Sequence, residues 1–151
     1  MSAEQVKCIM LSISEDKLVL PNAAIAEVVV YKEPTPVDDA PEWFLGYIEW
    51  RDKRVPLISF EAMSGKGVEA PVNISRIVVL NTINGNAQLP YVGVLSQGIP
   101  SLLVVPEGGL EDKAGDNENR QAVGAFIDLD GAEAVIPDLD EIEQRLTRLS
   151  L

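Results

Sequence analysis

The sequence contains no histidine in its 151 residues. Histidine is the usual base of Ser-His-Asp and Cys-His sites, a frequent metal ligand, and a residue that is phosphorylated in signalling proteins. Catalytic, metal-binding and phosphotransfer sites that depend on a histidine of this chain are therefore excluded. No sequence motif for a cofactor stands out either, and we expect none to be bound.

Cysteine is nearly absent as well, since Cys8 is the only one. An intramolecular disulfide is impossible, which suits a reducing compartment. Because Val6 and Ile9 flank Cys8 in an apolar run, we expect it to be a small buried side chain. The first residues lack the basic start and apolar run of a signal peptide, and no apolar run approaches the ~20 residues that span a bilayer. We therefore expect a cytoplasmic protein without direct membrane insertion.

Positive charge is scarce, with 12 lysines and arginines against 24 acidic residues and a net charge of −12. A protein that neutralises a run of phosphates needs the opposite balance, so we expect no nucleic-acid partner. Aromatic residues are only 5% of the chain, while apolar residues make up 46%. Since Val, Ile and Leu supply most of that apolar surface, β-rich packing is favoured.

Short apolar runs bounded by turn residues dominate the chain and predict about nine or ten strands, paired mostly as hairpins. The runs cover residues 6–13, 18–20, 28–31, 46–50, 55–60, 76–80, 89–96, 99–105, 122–128 and 133–136. This pattern favours antiparallel barrels or a sandwich, and two small barrels would close so many short strands. The run at 28–31 is predicted to be buried, and Arg51 to Arg54 to form a polar turn.

Two or three helical turns and one C-terminal helix are predicted between and after the strands, and one of the turns is expected at residues 61–65. Asn22 is expected to cap a short turn that continues to Glu27. A second short helix is expected from Asp39, with the apolar residues 43–45 on one face and Gly46 at its end. A C-terminal amphipathic helix is predicted over residues 138–149, with Asp138 as its cap.

Charged residues allow two functional interpretations from the sequence alone. Acidic pairs such as Asp38 with Asp39 or Glu111 with Asp112 could serve a carboxylate-based β-barrel hydrolase, provided that two of them converge in a concave pocket. Glu27 and Arg51 stand in apolar surroundings. They are either two separate surface charges or an ion pair that bridges two elements and fixes geometry more than it adds stability.

The order of several segments resembles a known family. The segments are Ile25-Ala26-Glu27-Val28, Thr35-Pro36-Val37, Ala40-Pro41, Gly46-Tyr47-Ile48-Glu49-Trp50-Arg51-Asp52, Val55-Pro56-Leu57-Ile58-Ser59-Phe60, Ile77-Val78-Val79-Leu80, Val92-Gly93-Val94-Leu95, Gly124-Ala125-Phe126-Ile127 and Asp138 to Ile142. They resemble the CheW-like domain, the coupling module of bacterial chemosensory systems, which also forms the C-terminus of the CheA histidine kinase. The resemblance covers about residues 8–146.

The resemblance implies a mostly β fold, with two small five-stranded antiparallel SH3-like barrels that share an apolar seam, in a single domain over residues 1–151. It implies a non-catalytic adaptor that couples chemoreceptors to a histidine kinase, in chemotaxis or a type IV pilus-linked system. The expected partners are the kinase's CheA-like regulatory domain and the cytoplasmic tip of the chemoreceptor. Carried over by position, the partner-binding groove and its support comprise Ile25, Glu27, Gly46, Arg51, Val79, Leu95 and Ile99.

The chain departs from the family pattern at several positions. Asp52 replaces a glycine, Ser59 and Gln97 replace aspartates, and Glu49-Trp50 replaces Asn-Leu. These departures suggest a divergent member. A divergent homologue that binds another regulator or a pilus component therefore remains an alternative.

Overall fold

The computed structural model describes residues 5–13, 17–65, 73–83, 87–106, 111–112, 123–129 and 132–149. The strands are β1 Gln5–Ser12, β2 Lys17–Pro21, β3 Ile25–Val30, β4 Phe44–Trp50, β5 Lys53–Ile58, β6 Arg76–Asn81, β7 Tyr91–Ser96, β8 Ser101–Pro106, β9 Glu111–Asp112, β10 Val123–Leu129 and β11 Ala132–Pro137. The helices are α1 Phe60–Met63 and α2 Leu139–Arg148, with a 3-10 turn at Asn22–Ala24. The predicted turns at 14–16 and 130–131 lie outside the described residues.

The strands form two sheets, and each sheet is mixed. The first sheet has the order β8-β1-β2-β11-β10-β9, and the second has the order β3-β6-β7-β5-β4. The pairs β2–β11 and β5–β7 are parallel, which corrects the antiparallel prediction. Hairpin patterns reveal only pairings between neighbours in sequence, and these two pairs join strands far apart in the chain. Closure of either sheet into a barrel is not confirmed, because no ladder among the described residues joins its outer strands.

An apolar seam lies between the sheets, as the family resemblance implied. Its buried side chains come from both sheets and both helices: Leu11, Ile13, Leu18, Leu20, Phe44, Ile58, Phe60, Met63, Val78, Leu80, Val92, Val94, Val135, Ile142 and Leu146. The other face of the second sheet buries a separate cluster around Trp50 and Leu57. The other face of the first sheet buries a smaller one around Cys8 and Val19. Both sheets therefore bury both faces along their central strands.

The β4–β5 hairpin turns on two residues instead of the predicted four. Arg51 and Asp52 both have left-handed backbone angles, with φ of 49° and 62°. This geometry matches the right-handed twist of the flanking strands, so the ladder resumes directly with Trp50 opposite Lys53.

The strand β3 is an edge strand and not the buried strand that its run of valines predicted. Val28 and Val30 are exposed, while Val29 packs against the cluster around Trp50. Among the described strands β3 pairs only with β6, so it forms an edge of the second sheet. The turn before β3 also differs from the prediction, in which Asn22 was the cap. Asn22 lies inside the 3-10 turn, and Pro21 occupies the cap position.

The helix predicted after Asp39 does not form, because residues 44–45 already belong to β4. Gly46 lies inside that strand with φ of 133° and marks a register shift in the ladder with β5. Thr35 and Tyr47 exchange two backbone hydrogen bonds of 2.8 and 2.9 Å, which bring the preceding segment against β4. The sequence pattern is ambiguous at residues 43–45, because three adjacent apolar residues fit both the repeat of a helix and that of a strand.

The C-terminal helix forms as predicted, from Leu139 to Arg148. The side chain of Asp138 accepts a hydrogen bond of 3.0 Å from the backbone N–H of Glu141, which satisfies one of the free donors of the first turn. Ile142 and Leu146 point into the seam, so the helix covers the edge of the core. No helix in the described part of the chain is long and apolar enough to cross a membrane.

The buried position of Cys8 leads to a prediction about its reactivity. The side chain is 4% exposed, and burial raises the pKa of the thiol above its ordinary value. At a given pH the reactive thiolate is therefore scarcer than in the unfolded chain. We expect a disulfide reagent such as DTNB to label the native protein at least about tenfold more slowly than the urea-unfolded protein at pH 8. Equal rates in the two states would contradict the buried position.

Candidate functional site

The two isolated charges singled out in the sequence lie together. A guanidinium nitrogen of Arg51 is 3.5 Å from the carboxylate of Glu27. The side chains are 66% and 38% exposed, respectively. Such an exposed ion pair contributes about 0–1 kcal/mol to stability. The structure thus decides between the two alternatives that the sequence left open in favour of an ion pair, and the exposure of that pair makes it available to a partner.

The same carboxylate is held from a second side. The indole N–H of Trp50 donates a hydrogen bond of 2.6 Å to Glu27, and the guanidinium of Arg51 lies 4.7 Å from the centre of the Trp50 ring. Trp50 is buried and packs edge-to-face on Tyr91 at 4.8 Å. A hydrogen bond to a carboxylate is about twice as strong as a neutral one, so this contact orients Glu27 more firmly than the ion pair does.

The strands that carry this site lie at opposite edges of the second sheet. Glu27 is on β3, whereas Trp50 ends β4 and Arg51 follows it. Contact between the two edges requires that the sheet coil strongly, as twisted sheets do. Lys32 adds a further link, since its ammonium donates a hydrogen bond of 2.9 Å to the carbonyl of Glu49. The Glu27–Arg51 pair thus joins the two edges through side chains.

The sequence analysis missed Trp50 and Tyr91 as supports of the site. A signal for Trp50 was present, because a buried indole N–H usually needs an acceptor and Glu27 stood among apolar neighbours. Tyr91 carried no such signal. It lies far from both charges in sequence, and its role depends on the pairing of β5 with β7.

The other predicted site residues are divided between surface and core. Ile99 is 63% exposed, whereas Ile25 is partly buried and packs against the seam. Val79 and Leu95 are 0% and 1% exposed, so in this conformation they can support a surface but not touch a partner. Gly46 is also buried, and its contribution is to the backbone of β4. The structure therefore brings together Glu27 and Arg51, but not all seven residues.

Exposed apolar side chains lie close to the charged pair in the chain. Val28 and Val30 follow Glu27 on β3 and are exposed, but they point to the opposite face of the strand, since Val28 is opposite Val78 and Glu27 is opposite Val79. Val30 pairs with Arg76 at the start of β6, directly after the exposed Ile74. An edge strand that carries both exposed apolar side chains and an exposed ion pair can take part in protein recognition.

Two of the departures from the family pattern, Asp52 and Ser59, keep the local chemistry. Asp52 has φ of 62°, a region where glycine is easiest but aspartate is tolerated. Ser59 caps α1, because its hydroxyl accepts a hydrogen bond of 3.3 Å from the N–H of Ala62, and aspartate and serine are equivalent caps. The side-chain oxygen of Gln97 accepts a hydrogen bond of 3.3 Å from the hydroxyl of Ser75. The amide nitrogen of Gln97 has no hydrogen-bond partner in the described structure.

The acidic pairs proposed for hydrolysis do not build a site in the described part of the chain. Asp138 caps α2, and Asp38 and Asp39 are exposed around a turn. Glu33 and Glu49 line one cavity, but both are exposed and share it with the cations Lys32 and Arg54. No group of three or more Cys, Asp or Glu side chains in the described ranges could hold a metal ion. The side chains of Glu111 and Asp112 lie outside the described structure.

Comparison with known proteins assigns the chain to a family. The CheW-like domain family model matches residues 7–146. No curated protein sequence matches the chain. The fold is similar to that of the scaffolding protein TtCheW from Thermoanaerobacter tengcongensis, with a TM-score of 0.76 and 20% identity over 91% of this chain and 87% of that one. Since the family model covers most of the sequence, the chain belongs to the CheW-like domain family.

Proposed function

We propose that the protein is a non-catalytic cytoplasmic adaptor that couples a chemoreceptor to a histidine kinase. The whole chain acts as a single CheW-like domain in a chemotaxis or type IV pilus-linked system. Its partners are the CheA-like regulatory domain of the kinase and the cytoplasmic tip of the receptor. The observation that carries the proposal is the family match over residues 7–146, together with an exposed Glu27–Arg51 pair at the position expected from the family pattern.

The partner-contacting surface is proposed to centre on Glu27 and Arg51. Val28 and Val30 supply exposed apolar area on the opposite face of the same edge strand, and Ile99 adds a further exposed apolar side chain. Ile25 borders this surface, while Val79 and Leu95 support it from the core beneath. An ion pair beside apolar side chains combines the two usual parts of an interface, apolar burial for affinity and charge for orientation.

A direct binding assay tests the proposal. The purified protein is immobilised and exposed separately to the regulatory domain of the cognate kinase and to the cytoplasmic tip of the cognate receptor. We expect saturable binding to at least one partner, with Kd of about 1–10 μM, an affinity typical of transient signalling contacts.

The alternative outcomes separate the remaining interpretations. A folded protein that binds neither domain contradicts the adaptor proposal. Binding to another regulator or to a pilus component instead supports the divergent-homologue alternative, which is motivated by the departures at Asp52, Ser59 and Gln97. Circular dichroism of the same preparation verifies that a negative result does not come from unfolded protein.

A further inference from the structure

A small cavity lies between the β4–β5 hairpin and the last turns of α2. Its volume is about 160 Å³, and its apolar lining includes Phe44, Tyr47, Pro56, Tyr91 and Leu146. An apolar protein cavity of about 150 Å³ is large enough to hold benzene. The cavity is therefore about the size of one six-membered ring, and its walls include aromatic and proline side chains that rings pack against, together with the polar side chains of Gln88 and Thr147.

One positively charged side chain lines this cavity. Arg54 is the only charged residue among the described residues that line it. Its guanidinium lies over the ring of Tyr47, with the central carbon 3.8 Å from the ring centre. Stacking of this kind fixes the plane of the guanidinium while leaving the N–H groups at its edge free to bind an acceptor.

No carboxylate in the described part of the chain occupies those donors. Glu49 is opposite Arg54 in the ladder, but the two form no ion pair there, and the guanidinium lies on Tyr47 instead. Arg54 is thus a positioned cation without an anionic partner among the described residues, in a chain with a net charge of −12.

We propose that this cavity binds a small planar carboxylate, with its ring among the apolar side chains and its carboxylate on Arg54. Guanidinium and carboxylate have matching planar geometry and form two parallel hydrogen bonds. The site is separate from the adaptor contacts, because none of the residues that line the cavity belongs to the proposed partner surface. The proposal therefore does not depend on the function proposed above.

A neighbouring larger cavity fits this ligand class less well. It has a volume of about 460 Å³ and shares Tyr47 and Arg54 with the first. Glu33 and Glu49 line it together with Lys32, so its charges balance and its carboxylates repel an anion. The smaller cavity has the cation without the acids, which makes it the better carboxylate site.

The structure provides a reporter for occupancy. Tyr91 lines the cavity and packs on Trp50, whose indole N–H is bonded to Glu27. A ring that enters the cavity contacts Tyr91 and changes the ring-current environment of that N–H. The chain has two tryptophans, so the indole resonances are few enough to resolve and assign.

Titration of the ¹⁵N-labelled protein with benzoate, followed by NMR, tests the proposal. We expect saturable shifts of the Tyr91 and Leu146 amides and of the Trp50 indole, with Kd of about 1 mM for so small a ligand. Arg54→Gln is expected to weaken binding about tenfold, and benzyl alcohol, which keeps the ring without the charge, to bind about tenfold more weakly than benzoate. Lys53→Gln removes an adjacent exposed cation that does not line the cavity, and its Kd should be unchanged.

Several outcomes overturn the proposal. These are an absence of saturable shifts at these residues, equal affinity for benzoate and benzyl alcohol, or equal weakening by Arg54→Gln and Lys53→Gln. If Arg54→Gln does not fold, Arg54→Lys replaces it. Arg54→Lys keeps the positive charge but lacks the planar guanidinium that can donate two parallel hydrogen bonds. If this variant binds benzoate as tightly as the parent protein does, paired hydrogen bonding to Arg54 is contradicted.

Discussion

Replacement of Gly46 by alanine is expected to lower the free energy of unfolding by about 3 kcal/mol or more. Gly46 has φ of 133°, a conformation that residues with a Cβ rarely adopt and that costs about 1–3 kcal/mol. An added Cβ would also lie 2.2 Å from the carbonyl oxygen of Thr35, which is backbone held by two hydrogen bonds to Tyr47. Relief of the overlap requires either loss of those bonds or displacement of β4, at a further cost of about 1–3 kcal/mol.

Urea denaturation followed by circular dichroism measures this effect, with Gly65→Ala as the matched control. Gly65 also has a positive φ, of 93°, but in the described structure no atom lies within 4 Å of the place that an added Cβ would take. The control isolates the backbone cost, and we expect a loss of about 1 kcal/mol. Equal losses in the two variants would show that the contact with Thr35 has no energetic consequence. They would remove our explanation for a glycine inside β4.

Charge reversal at Arg51 is expected to weaken binding of the kinase or receptor domain at least about tenfold, with little change in stability. Arg51→Glu places a second carboxylate next to Glu27, so the pair that presents this surface is replaced by repulsion. The fold should survive, because the ion pair is exposed and Trp50 still donates to Glu27. We expect the free energy of unfolding to change by less than about 1 kcal/mol.

The control for this experiment is Lys53→Glu, measured in the same binding assay. Both substitutions change the net charge equally, but Lys53 has no ion pair in the described part of the chain. Binding that falls equally in both variants would indicate a general effect of charge. Unchanged affinity of Arg51→Glu for a partner that the parent protein binds would remove Arg51 from the proposed surface.

The local features of the fold follow from short-range rules. The approximate extents of β6 and β7 and the cap of α2 were predictable, because short apolar runs and capping side chains act over a few positions. The same rules produced the errors. Residues 43–45 fit a helical face as well as a strand, and the strand is selected by long-range pairing, namely the ladder with β5 and the hydrogen bonds between Thr35 and Tyr47.

The candidate site shows a similar division. Sequence reasoning identified Glu27 and Arg51 as unusual charges and left open whether they met. Their 3.5 Å contact depends on how far the second sheet coils, since they stand at opposite edges of it. The contacts of Trp50 with Glu27 and with Tyr91 also depend on this coiling and on the pairing of distant strands.

By itself, the sequence determined the β-rich class, the absence of histidine chemistry and the family pattern around Arg51. Each of these depends on composition or on the order of neighbouring residues. Only the tertiary structure decided which edges meet, that β2–β11 and β5–β7 are parallel, and that Val79 and Leu95 are core. The physical reason is that burial and long-range pairing are set by the packing of the two sheets across a shared seam, where the gain for each residue depends on partners far away in the chain.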